Sequence, residues 1–110
     1  MDLKYKLIEG ILYMVKQERE NSTQSNRDII SKLVHILLAL QLYKGEFEER
    51  LIEQTKEFYQ KKQLTLEENL ATYMIMVEDI LLKESDMIKE CLDVCSLDKI
   101  TECVKDILIS

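Results

Sequence analysis

The chain has 110 residues and a mass of 13.0 kDa, with no proline, two glycines, 46% hydrophobic and 33% charged residues. This composition excludes a disordered chain and a β fold with many turns, and it predicts one all-α domain over residues 1–110. The net charge of −6 argues against DNA or RNA as a partner, because binding to phosphates depends on clustered cations.

The chain also lacks the segments that direct a protein to a membrane. A basic segment followed by an apolar run, which marks a secretory signal, is missing from its start. No apolar stretch approaches the ~20 residues that a transmembrane helix needs. We therefore expect no membrane role and a location in the cytoplasm, the nucleus or both.

The first predicted helix runs from Leu3 to about Arg19. Gly10 lies at the edge of its apolar face, where we expect another helix to approach closely. The polar stretch that follows predicts a loop, with Ser25 capping the next helix. The apolar face of this first helix consists of Leu3, Leu7, Ile11, Met14 and Val15.

The second predicted helix continues to about Gln41 and is apolar around most of its circumference. We therefore expect it to lie at the centre of the bundle, with the only histidine, His35, exposed to water. Gly45 is placed to end this helix or to start the next. The narrow strip left for solvent consists of Asp28, Lys32, His35 and Ala39.

Three further helices are predicted after Gly45. The third continues to about Lys62, and the fourth starts at Thr65, which forms a capping-box pattern with Glu68, and runs to about Leu92. Ser96 is expected to cap the fifth. Short loops between five helices predict an antiparallel bundle. The fourth helix carries a seam with the alternating spacing of packed helices: Leu70, Met74, Val77, Leu81, Ile88, Cys91 and Cys95.

Glu84 occupies a position on this seam where an apolar residue is expected. Either the helix turns this carboxylate outward to water, which we favour, or the carboxylate is buried. In the second case it must be paired with a cation or with backbone donors, because an unpaired buried carboxylate is too costly.

The cysteines and the single histidine do not form a recognisable metal site. Structural zinc sites use four ligands at short spacings, whereas Cys91, Cys95 and Cys103 are three thiols far from His35 in sequence. We interpret Cys91 and Cys95 as small buried hydrophobic residues and expect no disulfide. No cofactor is predicted.

The many glutamates are interpreted as a solvated face rather than as catalytic groups. Carboxylate-bridged di-iron bundles need two E-x-x-H pairs, and this chain has one histidine. No nucleophile elbow, phosphate-binding loop or metalloprotease motif is present. The sequence therefore favours a non-catalytic protein without a small-molecule ligand. The residues that we expect to be solvated are Glu46, Glu48, Glu49, Glu53, Glu57, Glu67 and Glu68, together with Arg50, Lys56 and Lys61.

The most distinctive motif spans residues 43–59. Five of its residues share one face of a helix that turns by about 100° per residue, and Tyr59 lies beside them. With Glu48, they form the pattern Y-x3-F-E-x2-L-x3-T-x2-F-Y, which resembles the cullin family. The five residues on the shared face are Tyr43, Phe47, Leu51, Thr55 and Phe58.

The resemblance continues along nearly the whole chain. Residues 11–19 are similar to a cullin helix that ends in Glu-Arg, here Glu18-Arg19, and residues 26–41 are similar to the helix that follows. Met87 and Cys91 stand where the family commonly has an arginine and an aromatic residue, and Leu82 stands where it usually has a charge. The later part of the resemblance rests on Tyr73, Val77, Leu81, Glu84, Leu92 and the polar joint Cys95-Ser96.

The resemblance implies the second of three five-helix repeats in a cullin stalk. Such a repeat would act as a rigid scaffold that separates the substrate-receptor adaptor from the RING protein of an E3 ubiquitin ligase. Its direct partners would be the adjoining cullin repeats. The residues carried over have a structural role in the family and no catalytic one: Tyr43, Phe47, Glu48, Leu51, Thr55, Phe58, Tyr59 and Glu84.

Two other classes of function remain open from the residues alone. A free-standing helical adaptor or homo-oligomer is suggested by the apolar seam of the fourth helix and by the apolar second helix. A helical enzyme has only the carboxylate-rich faces in its favour.

Overall fold

The computed structural model describes residues 3–20, 27–63 and 69–109, and these ranges contain helices and no strand. The predicted all-α class is confirmed, as is the number of α-helices within the described ranges. They are α1 (Leu3–Glu20), α2 (Arg27–Ala39), α3 (Glu48–Gln63), α4 (Leu70–Cys91) and α5 (Leu97–Ile109). Short helical turns cover Tyr43–Phe47 before α3 and Val94–Ser96 before α5.

Successive helices reverse direction. The end of α1 meets the start of α2 through Glu18 and Arg27, and the start of α4 meets the end of α5, where Tyr73 donates to the carbonyl of Leu108. Helices α1 and α3 consequently run in the same direction. Their contacts advance together along both helices: Lys4 with Glu46, Glu9 with Arg50, Leu12 with Gln54, and Arg19 with Thr55.

All five helices contribute to one hydrophobic core. Each helix places an apolar stripe against its neighbours, as amphipathic helices do in a bundle. The largest side chains that are almost completely buried belong to Tyr43, Phe47, Ile8, Ile11, Ile30, Leu37, Leu51, Ile88 and Ile100.

Helix α2 ends in a Schellman motif centred on Gln41, so of the two roles predicted for Gly45, the one at the end of this helix is wrong. Gln41 has a φ of 58°, in the left-handed region that usually selects glycine. The amide of Leu42 donates to the carbonyl of Leu37 at 2.8 Å, and the amide of Gln41 donates to that of Leu38 at 3.1 Å. These two bonds satisfy carbonyls that the end of a helix otherwise leaves unpaired.

Gly45 takes the second role predicted for it, near the start of the next helix, whereas the role predicted for Gly10 is wrong. Gly45 lies inside the turn Tyr43–Phe47 and kinks the backbone there, with φ −85° and ψ −106°. Gly10 is exposed, and a Cβ built on it would meet nothing within 4 Å. The predicted close approach of another helix at Gly10 is therefore wrong.

The expectation of a central α2 is also wrong. Only Ile30, Val34 and Leu37 are buried on this helix. Its opposite flank leaves Ile29 and Ile36 about half exposed, at 51% and 46%. His35 is exposed as predicted. Hydrophobic periodicity identified every apolar position of α2 but could not show which of them another helix covers.

Helix α4 begins at Leu70, where the side chain of Asn69 accepts from the amide of Thr72 at 2.9 Å. The predicted start at Thr65 and the predicted cap at Ser25 both fall outside the described residues. At the start of α4, Leu70 is 76% exposed and Met74 is 42% exposed, although both continue the seam that Val77 buries. This first part of α4 therefore extends beyond the helices that cover the rest of the seam.

Candidate functional site

An almost fully buried ion pair joins α1 and α4 through Arg19 and Glu84. The guanidinium donates from Nε to Oε2 and from Nη2 to Oε1 of the carboxylate, each at 2.9 Å. The two side chains are 2% and 3% exposed. A two-pronged contact of this kind matches the planar geometry of both groups and is among the stronger ion pairs in proteins.

Helix α3 completes this cluster with Thr55 and Tyr59. Arg19 Nη2 also donates to Thr55 Oγ1 at 2.7 Å, and the Thr55 hydroxyl donates to the carbonyl of Leu51 at 2.8 Å. The Tyr59 hydroxyl donates to Glu84 Oε2 at 2.6 Å. The four side chains thus tie three helices together in the interior, and we call them the Arg19–Glu84 cluster.

The electrostatics of the cluster favour the ion pair over neutral partners. Burial opposes the charge on Arg19, but the adjacent Glu84 carboxylate outweighs it and raises the pKa of the guanidinium. Burial and the same carboxylate raise the pKa of Tyr59, which therefore stays a neutral donor. Both charges are compensated within the cluster, as buried ions require.

A second polar cluster connects the start of α3 with the start of α5. Lys99 donates to Glu48 Oε1 at 2.7 Å, and the Ser96 hydroxyl donates to Oε2 at 2.9 Å. Because the proton of Ser96 is directed to Glu48, the Tyr43 hydroxyl donates to Ser96 Oγ, 2.8 Å away. Tyr43 in turn accepts from the amide of Asp93 at 3.1 Å. We call this group the Glu48 cluster.

Burial raises the pKa of Tyr43 to about 12, although its hydrogen bonds to Ser96 and Asp93 partly oppose that rise. Tyr43 is 1% exposed and packs its ring against Phe47, with the ring centroids 5.0 Å apart. The kinked turn at Gly45 thus places one aromatic ring in the core and its hydroxyl in a polar network.

A third contact group holds the start of α2. Arg27 Nε lies 3.3 Å from Glu18 Oε2, and its Nη1 lies 2.5 Å from Glu90 Oε2. Glu18 is buried, whereas Glu90 lies at the surface. This arginine therefore links the ends of α1 and α4 to α2.

Comparison with known proteins shows the family to which this arrangement of helices belongs. The family description "Cullin alpha solenoid domain" matches residues 1–110. The chain belongs to the cullin family. It is 35% identical over 109 residues to Cullin-6 of Caenorhabditis elegans, and 29% identical over 106 residues to human Cullin-4A.

The matches cover nearly all of this cullin chain but a small part of each relative. They span 99% of the chain and 15% of the nematode protein, and 94% of the chain and 14% of the human protein. The chain thus corresponds in length to about one-seventh of these cullins.

The structure places most of the cullin-like signature inside the bundle. Tyr43, Phe47, Leu51, Thr55 and Tyr59 are between 0% and 4% exposed. Phe58 is only partly buried; its ring lies edge-on to Tyr59, with the centroids 4.9 Å apart. Most residues of the signature therefore lie in the core. Its polar members belong to the two clusters: Thr55 and Tyr59 to the Arg19–Glu84 cluster, and Tyr43 and Glu48 to the Glu48 cluster.

Two interpretations of acidic residues are wrong. Glu84 does not turn outward, because α1 supplies a buried cation for it, and the alternative of a paired, buried carboxylate is correct. Glu48 is not part of a solvated face; it is 3% exposed and holds the Glu48 cluster together. In both cases a partner distant in sequence compensates the charge.

Arg19 is the residue that sequence reasoning missed as the partner of Glu84. A signal for it exists, because Arg19 continues the alternating spacing of the buried residues Ile8, Leu12 and Val15 along α1. A cation on the buried face of one helix and an acid on the buried face of another can pair, since the charge of each must be compensated when it is buried.

The cysteines lie in apolar or hydrogen-bonded surroundings. Cys91 is buried as predicted, and its thiol donates to the carbonyl of Met87 at 3.2 Å. Burial raises the pKa of Cys91 to about 12 and that of Cys95 to about 11, so both thiols are protonated near neutral pH. Cys95, which was predicted to be buried, is only partly buried. Cys103 is buried, and all three are free thiols.

Within the described ranges, no three residues of the types His, Cys, Asp and Glu come together in a way that could hold a metal ion. No described helix has the length and apolarity that crossing a membrane requires. The hydrogen bonds of the two polar clusters cross-link helices, and Nη1 of Arg19 is buried without a hydrogen-bond partner in the part of the chain that the structure describes.

Proposed function

We propose that this chain is a rigid scaffold segment of a cullin-type E3 ubiquitin ligase, the second of three helical repeats in the stalk. In this role it sets the distance between a substrate-receptor adaptor at one end of the assembly and a RING protein at the other. It would act in the cytoplasm, the nucleus or both. Its direct partners are the adjoining repeats of the same stalk.

The Arg19–Glu84 cluster is the observation that carries this proposal. A bend between α1 and α4 would separate two buried charges, and breaking such a pair on one side costs about 3–5 kcal/mol. The Glu48 cluster imposes a similar constraint between α3 and α5. Relative movement of the helices is therefore opposed at two levels of the bundle.

Apolar surface at both ends of the bundle supports stacking of further repeats. Leu3 and Leu40 are 77% and 59% exposed at the end where α1 starts and α2 stops. Leu70 and Ile109 are 76% and 49% exposed at the opposite end. Repeat proteins bury such surfaces against their neighbours.

A spacer of this kind accelerates a reaction without a catalytic group of its own. Holding two reacting partners at a fixed separation raises their effective concentration, and the gain is lost when the connection cannot hold the required geometry. The described part of the bundle extends along one axis, as a spacer should, since the principal extents of the protein are 48 × 26 × 23 Å.

The main alternative is a symmetric dimer through α4, which the apolar seam of that helix suggested. The structure argues against it. The residues Val77, Ile88 and Cys91 of the α4 seam are buried against other helices of the same chain. They cannot face a second copy without unfolding. Sedimentation of the purified protein distinguishes the two ideas, because the scaffold proposal expects a monomer in dilute solution.

A chimeric ligase tests the scaffold proposal. This chain replaces the matching repeat of a reconstituted cullin ligase, and transfer of ubiquitin to a bound substrate is measured. We expect transfer to be retained, to fall in the Glu84→Ala chimera and to be unchanged in the His35→Ala control.

Two outcomes would contradict the proposal. One is a folded chimera that binds both the adaptor and the RING protein but transfers no ubiquitin. The other is a Glu84→Ala chimera whose hydrogen exchange shows loosened helices but whose transfer rate is unchanged.

A further inference from the structure

A shallow groove between α4 and α5 lies outside the two polar clusters. Leu81 and Leu97 are partly buried and pack against the core beneath it, while Leu82 stands at its edge and is 64% exposed. Along α4, Ile75 is 69% exposed and lies two turns before Leu82 on the same face. The groove thus has an apolar base and an apolar wall with helical spacing.

The rim of the groove carries more negative than positive charge. Glu78 and Asp98 lie on opposite sides, with Lys105 as the cation that lines the same groove. Among the described residues, neither Glu78 nor Asp98 forms an ion pair. The Thr101 hydroxyl, also at the rim, donates to carbonyls of its own helix, at 2.8 Å to Leu97 and 3.2 Å to Asp98.

These charges distinguish between possible occupants of the groove. A second copy of this chain would bring a net charge of −6 toward another −6, which opposes association. A helix with basic flanks would instead pair with Glu78 and Asp98 while its apolar residues cover Leu82. Docking of an amphipathic helix into an apolar groove is a recurrent mode of recognition.

We propose that the α4–α5 groove is a docking site for a basic amphipathic helix of a partner protein. The apolar residues of that helix would be spaced to cover Ile75 and Leu82, and its lysines or arginines would face Glu78 and Asp98. The groove runs along the side of the bundle between α4 and α5. The docking proposal is independent of the scaffold proposal, because it rests on the residues of this groove alone.

Selection from a displayed library of amphipathic helices about 18 residues long, with both charges allowed at the flanking positions, tests this proposal. We expect the selected helices to carry basic flanks. Substitution Leu82→Ser should lower their affinity by about tenfold or more, and so should the double substitution Glu78→Lys/Asp98→Lys. The matched control is Ile29→Ser on α2, because Ile29 is also an exposed apolar residue, at 51% against 64% for Leu82.

Each alternative result would overturn the proposal. These results are a selection without basic flanks, a selection without any binder, and binding that Ile29→Ser weakens as much as Leu82→Ser. A dimer of the chain that Leu82→Ser dissociates would show instead that a second copy occupies the groove. Circular dichroism of every variant shows whether a loss of binding is caused by a loss of folded structure.

Discussion

At the scale of single residues, Arg19 and Glu84 depend on each other. We expect Arg19→Met and Glu84→Leu each to lower the free energy of unfolding by about 3–5 kcal/mol, because each leaves the other charge buried and unpaired. The double variant should lose less than the sum, since it leaves no charge uncompensated. Urea denaturation of the four proteins in the cycle measures this difference.

An exposed pair on the same helix provides the control for this cycle. Lys83 and Asp79 approach to 3.2 Å, but their side chains are 70% and 60% exposed. Replacing either should change stability by no more than about 1 kcal/mol, because water compensates the remaining charge. Equal effects for the buried and the exposed pair would contradict the role assigned to Glu84.

Tyr43 makes a predictable contribution to stability in alkali. Its pKa rises from 10.0 to about 12 in the folded protein, so above pH 10 the unfolded chain releases this proton first. The unfolded state then binds fewer protons, and stability falls as pH rises through that interval.

We expect Tyr43→Phe to remove part of this loss, about 1.4 kcal/mol between pH 9 and pH 11. Urea denaturation of both proteins at the two pH values measures the change, and each protein serves as its own reference at pH 9. Parallel losses in the two proteins would show that the Tyr43 hydroxyl does not titrate as its surroundings require.

The residue scale also shows what the sequence could reveal of the site. Periodicity placed Glu84 on a buried seam, but its partner Arg19 lies 65 positions away and no local signal joins them. Glu48 was misread for the same reason, since Ser96 and Lys99 reach it only after the chain has folded. Burial of a charge is decided by such distant partners.

At the scale of helices and turns, Gln41 adopts a backbone conformation that its side chain disfavours. Its left-handed conformation suits glycine, which lacks the Cβ that other residues must accommodate there. We expect Gln41→Gly to raise the melting temperature, with a gain of about 0.5–1 kcal/mol.

Lys44→Gly is the control for that substitution. Lys44 is also exposed, but it lies in a helical turn with negative φ, so the added freedom should destabilise the protein by about 0.5–1 kcal/mol. A loss of stability in both variants would argue against the Schellman motif at the end of α2.

Helix type and number were predictable, whereas helix boundaries and partners were less so. The apolar periods of α1 and α5 lie in long amphipathic stretches with one buried face, and these were correctly identified as helices. The cap of α4 at Asn69 was not anticipated, because Thr65 and Glu68 form a capping-box pattern nearby in the sequence. The exposed flank of α2 could not be foreseen, since hydrophobicity does not state which neighbour covers it.

At the scale of the whole molecule, Phe47 and Phe58 report on how cooperative the core is. Phe47 is completely buried, so Phe47→Ala should cost about 3–5 kcal/mol by opening a cavity. Phe58 is partly exposed and lies near Arg19 and Lys62, so Phe58→Ala should cost about 1–2 kcal/mol. Thermal melts should keep a single transition in both.

His35→Ala is the neutral reference for this series. The imidazole is exposed on α2, and surface substitutions of this kind stay within about 0.5 kcal/mol. If His35→Ala destabilised the protein as much as Phe47→Ala, the orientation of α2 would be wrong.

The shared direction of α1, α3 and α5 has a consequence for how such units can be joined. Because an odd number of alternating helices is described, the backbone enters at one pole of the bundle and leaves at the other. In a polypeptide built from several such units, each unit therefore carries the chain further in the same direction, and no segment has to run back along the bundle. The length of such a polypeptide grows in proportion to the number of units.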